Sequence, residues 1–352
     1  MRVAIDATPL TLSSGGLVRY TQELSLALAR AFPADPFVLV SDQPFPMPRG
    51  APPNLTRGGG PRGPLERRWW LWGLDRELRR LSAGLFHGTN FSVPYIPRRP
   101  SVLTLHDLSP WMDPAWHRAT GRVRRRTPLL IEAGCATMIV TDTEAVRRQA
   151  MERFRISPAR IVAVPLGGLA RRAARLPAGA RRYFLFVGTL EPRKNVDGLL
   201  AAWRQVRRAH PVDLLLAGRC REDFRPPRPE PGLELLGEVP DERLPELYGG
   251  ALALVYPSFY EGFGLPVVEA MQCGTCVIVS RDPALAEVAG DAAIRADGEK
   301  ELAEAMGAVA ARPELVEEWS RKAAARGLEY SWERTARLTR AVYDEARSRF
   351  GN

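Results

Sequence analysis

Short apolar runs alternate with longer segments whose apolar residues recur at helical spacing, and the alternation continues along the whole chain. RVAIDAT, PFVLVSD, GLFHGT, SVLTLHD and ATMIVTD lie in the first half; IVAVP, YFLFVGT, DLLLAG, LELLGE, ALALVYP and TCVIVS follow. Apolar runs of this length predict strands. Between them, residues 17–32 and 196–209 carry the apolar stripe of an amphipathic helix. Strands separated by helices imply parallel sheets with right-handed crossovers, an α/β class, and the number of strands suggests two such units. The seam falls near Gly167-Gly168, ahead of the Arg/Ala-rich segment 169–182. The expected domains are therefore 1–168 and 169–328, followed by a last helical stretch, 329–352. In that stretch Ser331 is expected to cap an amphipathic helix with Glu333 in its first turn. Residues 44–64, rich in Pro and Gly, read as an exposed loop.

In open parallel sheets, ligands bind beyond the carboxyl ends of the strands. The polar motifs fall there: Ser13-Ser14-Gly15-Gly16 after the first strand, His106-Asp107 after SVLTL, and residues 191–195 after YFLFVGT. Two such edges facing each other would make a cleft. The run PSFYEGFGLPVVEAMQCGTCVIVS, residues 257–280, is the most specific. Glu261 precedes the turn Gly262-Phe263-Gly264, and Glu269 lies beyond Pro266 in the first turns of a predicted helix. A proline near the first helical position costs no hydrogen bond, because that amide has no partner in any case. The free amides and the positive end of the helix dipole favour an anion. Carboxylates on either side would accept hydroxyl hydrogen bonds, so the pattern suits a phosphate joined to sugars, as in a nucleotide-sugar.

With 352 residues, 45% of them hydrophobic, the chain can bury two cores of ordinary size. No run approaches the roughly 20 apolar residues of a membrane span. MRVAIDATPL reads as a first strand and not as a signal peptide, and a cytoplasmic protein is expected. Cys273 and Cys276 are spaced C-x2-C without a second pair; with Cys135 and Cys220 they read as small buried apolar residues, and no metal site is expected. Residues 1–168 hold 23 Arg and no Lys against 13 acidic residues, a net of +10, while the rest of the chain is balanced. Arg67-Arg68 before Trp69-Trp70-Leu71-Trp72, and Arg122 with Arg124-Arg125-Arg126, belong to that excess. Such a patch suits an anionic membrane surface or a phosphorylated acceptor, or is simply a solvated face; no nucleic-acid module is present. The chain has only three lysines, Lys194, Lys300 and Lys322. Where arginine is the default, Lys194 in GTLEPRKN points to a need for a compact ammonium, as at a phosphate.

At these residues the chain resembles the retaining glycosyltransferases of family 4. SGGLVRYTQEL is similar to that family's glycine loop, LHDLSP to its acceptor-side His motif, FVGTLEPRKN to its donor-phosphate motif, and EGFGLPVVEAMQCGTCVI to its nucleotide-sugar motif. The wording GTLEPRKN and SWE…Y is similar to that of bacterial polysaccharide mannosyltransferases. The resemblance covers nearly the whole length. It implies the GT-B architecture, two facing Rossmann-like domains with a cleft between them and a C-terminal helix packing back on the N-terminal domain.

The resemblance also implies roles. Gly15 and Gly16 bring amides to the donor diphosphate, and His106 lies near the donor sugar and acceptor. Arg193 and Lys194 neutralise the leaving diphosphate, with Arg193 standing in for an arginine that follows the glycine in many relatives; here Thr189 follows Gly188. Glu261 accepts sugar hydroxyls, with Gly262, Phe263, Gly264 and Leu265 beside phosphate or sugar, and Glu269 takes the ribose hydroxyls. Cys276 replaces a usual Pro and Arg281 a frequent Asn. The implied reaction is retaining transfer of a sugar, mannose from GDP-mannose by the subgroup, to a saccharide or lipid-linked saccharide in polysaccharide or glycolipid synthesis. Asp107 and Glu261 are the nearest carboxylates for a double displacement, but front-face attack fits better, with the departing phosphate taking the acceptor's proton. No Asp-x-Asp motif is present, so no metal and no cofactor are expected. An epimerase of the same architecture and a non-catalytic nucleotide-sugar-binding subunit are the rival readings.

Overall fold

The computed structural model describes residues 1–12, 14–117, 120–169 and 181–351. Ser13 and most of the segment 169–182 lie outside the described residues. The chain divides into two compact units, Met1–Leu166 with Trp332–Asn352, and Gly167–Ser331.

The first unit is built on seven parallel strands: β1 (Val3–Asp6), β2 (Phe37–Val40), β3 (Leu55–Arg57), β4 (Leu85–Gly88), β5 (Ser101–Thr104), β6 (Met138–Thr141) and β7 (Ile161–Ala163), in the order β3-β2-β1-β4-β5-β6-β7. Every residue of β1, β2, β4, β5 and β6 is buried, as double-faced packing of parallel strands requires. The crossovers carry α1 (Gly16–Ala31), α2 (Leu74–Arg80), α3 (Gly121–Glu132) and α4 (Glu144–Phe154).

The second unit has six parallel strands: β8 (Tyr183–Val187), β9 (Asp213–Ala217), β10 (Leu233–Gly237), β11 (Ala253–Tyr256), β12 (Val277–Val279) and β13 (Ile294–Arg295), ordered β10-β9-β8-β11-β12-β13. Its helices are α5 (Val196–Arg207), α6 (Leu244–Gly250), α7 (Leu265–Gln272), α8 (Pro283–Ala289), α9 (Gly298–Ala311) and α10 (Pro313–Gly327). Each unit is thus a Rossmann-like doubly wound sheet whose order reverses once, beside β1 and beside β8.

Helix α11 (Trp332–Arg349) belongs to the first unit. Trp332, Thr335, Ala336, Thr339, Val342, Tyr343 and Ala346 form its buried stripe, spaced by three and four residues. The Tyr343 hydroxyl lies 2.7 Å from His87 Nδ1, the Thr335 hydroxyl donates to the Pro165 carbonyl at 2.7 Å, and Arg340 pairs with Asp35 at 2.8 Å. Truncating Tyr343, which is fully buried, to Ala would cost about 3–5 kcal/mol by analogy with other large aromatics.

Two expectations need correction. The stretch 44–64 is not wholly an exposed loop: it contains β3 and the buried Phe45, whose ring lies under the Arg57 guanidinium. Only Leu55 of β3 is buried, so an edge strand held by backbone pairing left no apolar pattern to read. Cys220 is exposed, whereas Cys135, Cys273 and Cys276 are buried as expected.

Candidate functional site

In the second unit the reversal of strand order makes β8 and β11 neighbours. The loops leaving their carboxyl ends, 188–195 and 257–264, are therefore adjacent although far apart in sequence. The β8 loop ends in a short turn, Pro192–Lys194, closed by Asn195 in a left-handed conformation that asparagine tolerates. The Asn195 side chain donates to the Pro257 carbonyl at 3.3 Å and the Phe259 amide to the Arg193 carbonyl at 2.9 Å, tying the two loops together.

This geometry brings Arg193, Lys194 and Glu261 into one cluster. The Lys194 ammonium donates to Glu261 Oε1 at 2.5 Å and to the Tyr256 hydroxyl at 2.6 Å, and lies 4.8 Å from the centre of the Tyr256 ring. Arg193 donates to Glu261 Oε2 at 3.2 Å, to the Tyr260 carbonyl at 2.8 Å and to Glu191 Oε1 at 2.9 Å, while Arg221 reaches Glu191 Oε2 at 3.3 Å. Arg221 also pairs with Asp223, so three cations face three carboxylates and the cluster carries no surplus charge. Burial pushes the Glu261 carboxyl up, but the Lys194 and Arg193 charges overcome it and hold the group at about 2. Burial also lowers Lys194, against the pull of Glu261, and raises the Tyr256 phenol. Glu261 is consequently a permanent anion, suited to accepting hydrogen bonds and not to carrying protons.

Beyond Glu261 the chain turns at Gly264, whose backbone φ of 91° and a would-be Cβ only 2.6 Å from Leu285 both demand glycine. Helix α7 starts at the next residue with Pro266 in its first turn; the Val267 and Val268 amides donate to the Gly264 carbonyl at 2.9 and 3.4 Å, so of the first four residues only the amide of Leu265 is not used within this turn. Asp282 caps α8 through the Ala284 and Leu285 amides and accepts from the Glu261 amide at 3.3 Å; burial, with the Glu261 charge adding, raises its carboxyl to about 6. Glu269, four residues into α7, is buried and accepts the Tyr248 hydroxyl at 2.7 Å. Phe263 is buried edge-on against Tyr330, so that side chain serves the core. Arg281 points to Glu301 and Asp297 at 2.5 and 3.3 Å.

In the first unit, Gly15 caps α1 with a φ of 116° that disfavours any side chain, and both Gly15 and Gly16 are exposed. His106 follows β5, with Nδ1 2.7 Å from Asp142 Oδ2, Nε2 2.9 Å from the Thr89 carbonyl, and the Tyr20 ring edge-on at 4.5 Å. Burial alone would push His106 down and does raise Asp142. Both ring nitrogens nevertheless face oxygen acceptors, which needs two N–H groups, so the proton stays on the ring and His106 is held above its usual value. Asp142 Oδ1 is buried without a hydrogen-bond partner among the described residues. Asp107 Oδ1 accepts the Ser109 amide at 2.9 Å and hydroxyl at 2.6 Å, while its charge acts on both His106 and Asp142.

Sequence reasoning placed Glu191 in the polar stretch 191–195 without giving it a role, and missed Tyr256 and Asp282 around the second-unit cluster and Asp142 beside His106. Glu191 stands in the same motif as Lys194, and Tyr256 is the one aromatic in an aliphatic strand, so both left a trace. Asp142 ends a strand run and Asp282 lies two residues beyond one, with nothing further to mark them. Among the described residues no group of three or more His, Cys, Asp or Glu side chains is arranged to hold a metal ion. No helix among them is long and apolar enough to cross a membrane.

Comparison with known proteins follows the division into units. Residues 14–167 match the family model described as Glycosyltransferase Family 4, and residues 170–326 the one described as Glycosyl transferases group 1. The chain is 36% identical over 291 residues to O-antigen chain mannosyltransferase B of Escherichia coli, an alignment covering 76% of this chain and 75% of that protein. It is 29% identical over 271 residues to MMP alpha-(1->4)-mannosyltransferase of Mycolicibacterium hassiacum, covering 68% and 61%. Sucrose-phosphate synthase from Thermosynechococcus elongatus superposes with a TM-score of 0.74 over 98% of each chain, at 19% identity. HepE from Anabaena, solved with UDP-glucose, gives 0.73 over 98% and 99%, at 15% identity. At such identities the likeness shows the fold, the paired Rossmann-like units of GT-B proteins.

Proposed function

We propose, because the chain belongs to the family 4 glycosyltransferases, that it moves mannose from GDP-mannose to a saccharide or lipid-linked saccharide hydroxyl in polysaccharide synthesis, with retained configuration. Two relatives named as mannosyltransferases support the choice of sugar. The observation that carries the site assignment is the Lys194–Glu261–Arg193 cluster at the strand reversal, one turn away from the start of α7.

In this reading the bond from the sugar's anomeric carbon to the donor phosphate breaks, and the diphosphate leaves with its charge. Lys194 and Arg193 stabilise that charge from fixed positions, held there by Glu261, Glu191 and Tyr256. The acceptor oxygen forms the new bond on the same face, and its proton passes to the departing phosphate oxygen. Glu261, anionic throughout, accepts a sugar hydroxyl, while Glu269 takes the ribose hydroxyls beside Tyr248. The amides from Phe263 to Leu265 serve the donor. His106, with both ring nitrogens engaged, orients groups near the sugar and does not act as a base. Two cations already meet the phosphate, so no divalent ion is needed.

The test is transfer measured with GDP-mannose and with UDP-glucose on a mannan-type oligosaccharide, with the product's anomeric proton read by NMR. Turnover with GDP-mannose, the donor's anomeric configuration in the product and full activity in EDTA are expected. Turnover with the UDP-sugar alone, an inverted product, or strict dependence on added metal would each overturn the corresponding part.

A further inference from the structure

Helix α11 reaches the surroundings of His106 at two places, eleven positions apart. At its start the Trp332 ring lies 6.4 Å from the Tyr20 ring, and Tyr20 in turn meets the His106 imidazole edge-on. Further along, the Tyr343 hydroxyl beside His87 Nδ1 begins a buried chain. His87 Nε2 lies 2.7 Å from the Thr104 hydroxyl, and that hydroxyl lies 2.9 Å from the one on Tyr20. The chain Tyr343–His87–Thr104–Tyr20 thus crosses from α11 through β4 and β5 to α1, and it ends against His106. Each of its four members is at most 2% exposed.

A core that needs only volume is filled by phenylalanine and valine, because buried hydroxyls and imidazoles cost free energy unless each is matched. Burial, with the His106 charge adding, lowers the His87 imidazole to about 3. His87 is therefore neutral and offers one N–H and one bare nitrogen, so of the two hydroxyls beside it one donates and the other accepts. Removing the Tyr343 hydroxyl leaves a buried nitrogen unmatched, and the imidazole with its Thr104 partner must shift to recover. The other hydroxyls on the buried stripe of α11 do not lead to His106. Thr335 donates to the Pro165 carbonyl, and the Thr339 hydroxyl has no hydrogen-bond partner among the described residues. Around His106 the charged groups are Asp142 at the end of β6 and Asp107 beside it in sequence, and His87 on β4 is neutral. Burial raises the Tyr20 and Tyr343 phenols and keeps both uncharged. The chain can therefore act on His106 through the placement of its ring and not through charge.

We propose that Tyr343 and Tyr20 are positioning residues, the two ends of a chain by which α11 fixes the His106 ring against the Asp142 carboxylate and the Thr89 carbonyl. The proposal rests on the reading that His106 orients groups near the sugar, but one of its two measurements does not.

Tyr343→Phe and Tyr20→Phe keep each ring and remove its hydroxyl, while Thr335→Val removes a buried hydroxyl from α11 outside the chain. NMR titration of the full chain, with no nucleotide-sugar present, should find His106 above 6.5 in the wild type and in Thr335→Val, and nearer 6.5 in both phenylalanine variants. The same loss of placement should lower kcat with GDP-mannose on the order of 10-fold, short of the roughly 100-fold that a displacement of about 1 Å costs, with the donor KM unchanged. Because both hydroxyls serve one chain, the double variant should lose no more than the worse single one. His106 titrating alike in all of these proteins, Thr335→Val moving it as far as Tyr343→Phe does, or losses that multiply in the double variant would overturn the proposal. A wild type without transfer activity would instead overturn the reading of the reaction, and the titration would still decide the positioning.

Discussion

Lys194→Met tests the electrostatics of the second-unit cluster. Methionine keeps most of the volume of the lysine stem and removes the ammonium, so no large cavity confuses the result. In the wild type Glu261 is held at about 2 against an ordinary 4.5. At about 1.4 kcal/mol per pH unit, that difference corresponds to about 3 kcal/mol of stability. It agrees with the 3–5 kcal/mol typical of removing one member of a buried pair. Because Arg193 remains 3.2 Å from Glu261 Oε2, the lower end applies. For a unit of this size, about 3 kcal/mol lowers the melting temperature by roughly 6–12 °C. The sign with pH follows from the direction of the shift. A carboxyl lowered in the folded state stabilises fully above its unfolded value of 4.5, and loses that contribution as pH falls from there toward 2. Without Lys194, burial dominates and moves Glu261 above 4.5, so the variant recovers as pH falls from 7 toward 4.5 and the gap narrows. Lys194→Met/Glu261→Gln, which leaves no buried unpaired charge, should regain most of the stability yet remain inactive. Thermal unfolding at pH 7 and pH 4.5 reads all of this. A gap under about 1 kcal/mol at neutral pH, or one of constant size across that range, refutes the reasoning.

Glu269→Gln keeps an acceptor for the Tyr248 hydroxyl but removes the charge; GDP affinity by calorimetry should fall roughly 10- to 150-fold with the fold intact, and an unchanged affinity would remove Glu269 from the ribose role. Asp142→Asn takes the carboxylate from His106 and leaves burial to push the imidazole down. NMR titration should find His106 above 6.5 in the wild type and below it in the variant. A raised histidine stabilises fully below 6.5 and loses that contribution as pH rises through its folded value, so wild-type stability should decline there and the variant's should not. An identical His106 titration in both proteins would show that Asp142 does not hold the proton.

The strand inventory was legible because parallel strands buried on both faces must read as unbroken apolar runs; Tyr183–Val187 and Ala253–Tyr256 are buried throughout. Two strands escaped for the same reason. Of Leu55–Arg57 only Leu55 is buried, and Ile294–Arg295 has a single apolar residue, so both edges exist through backbone pairing that side chains do not record. The five-residue π-turn at Trp69–Gly73 was equally silent, since its WWLWG composition fits any buried turn.

At the site, sequence alone marked Lys194, Glu261 and Glu269, because rare lysines, a glycine-broken turn and a proline-started helix each carry a local chemical reason. It did not determine that Lys194 and Glu261 touch. Their contact spans 67 positions and exists because β11 pairs with β8 and not with β10. The same holds for His106 and Asp142, 36 positions apart at the ends of neighbouring strands. Tertiary structure also decided their charge states. Burial would neutralise Glu261 and His106 alike, and only partners brought from elsewhere in the sheet keep one an anion and the other protonated.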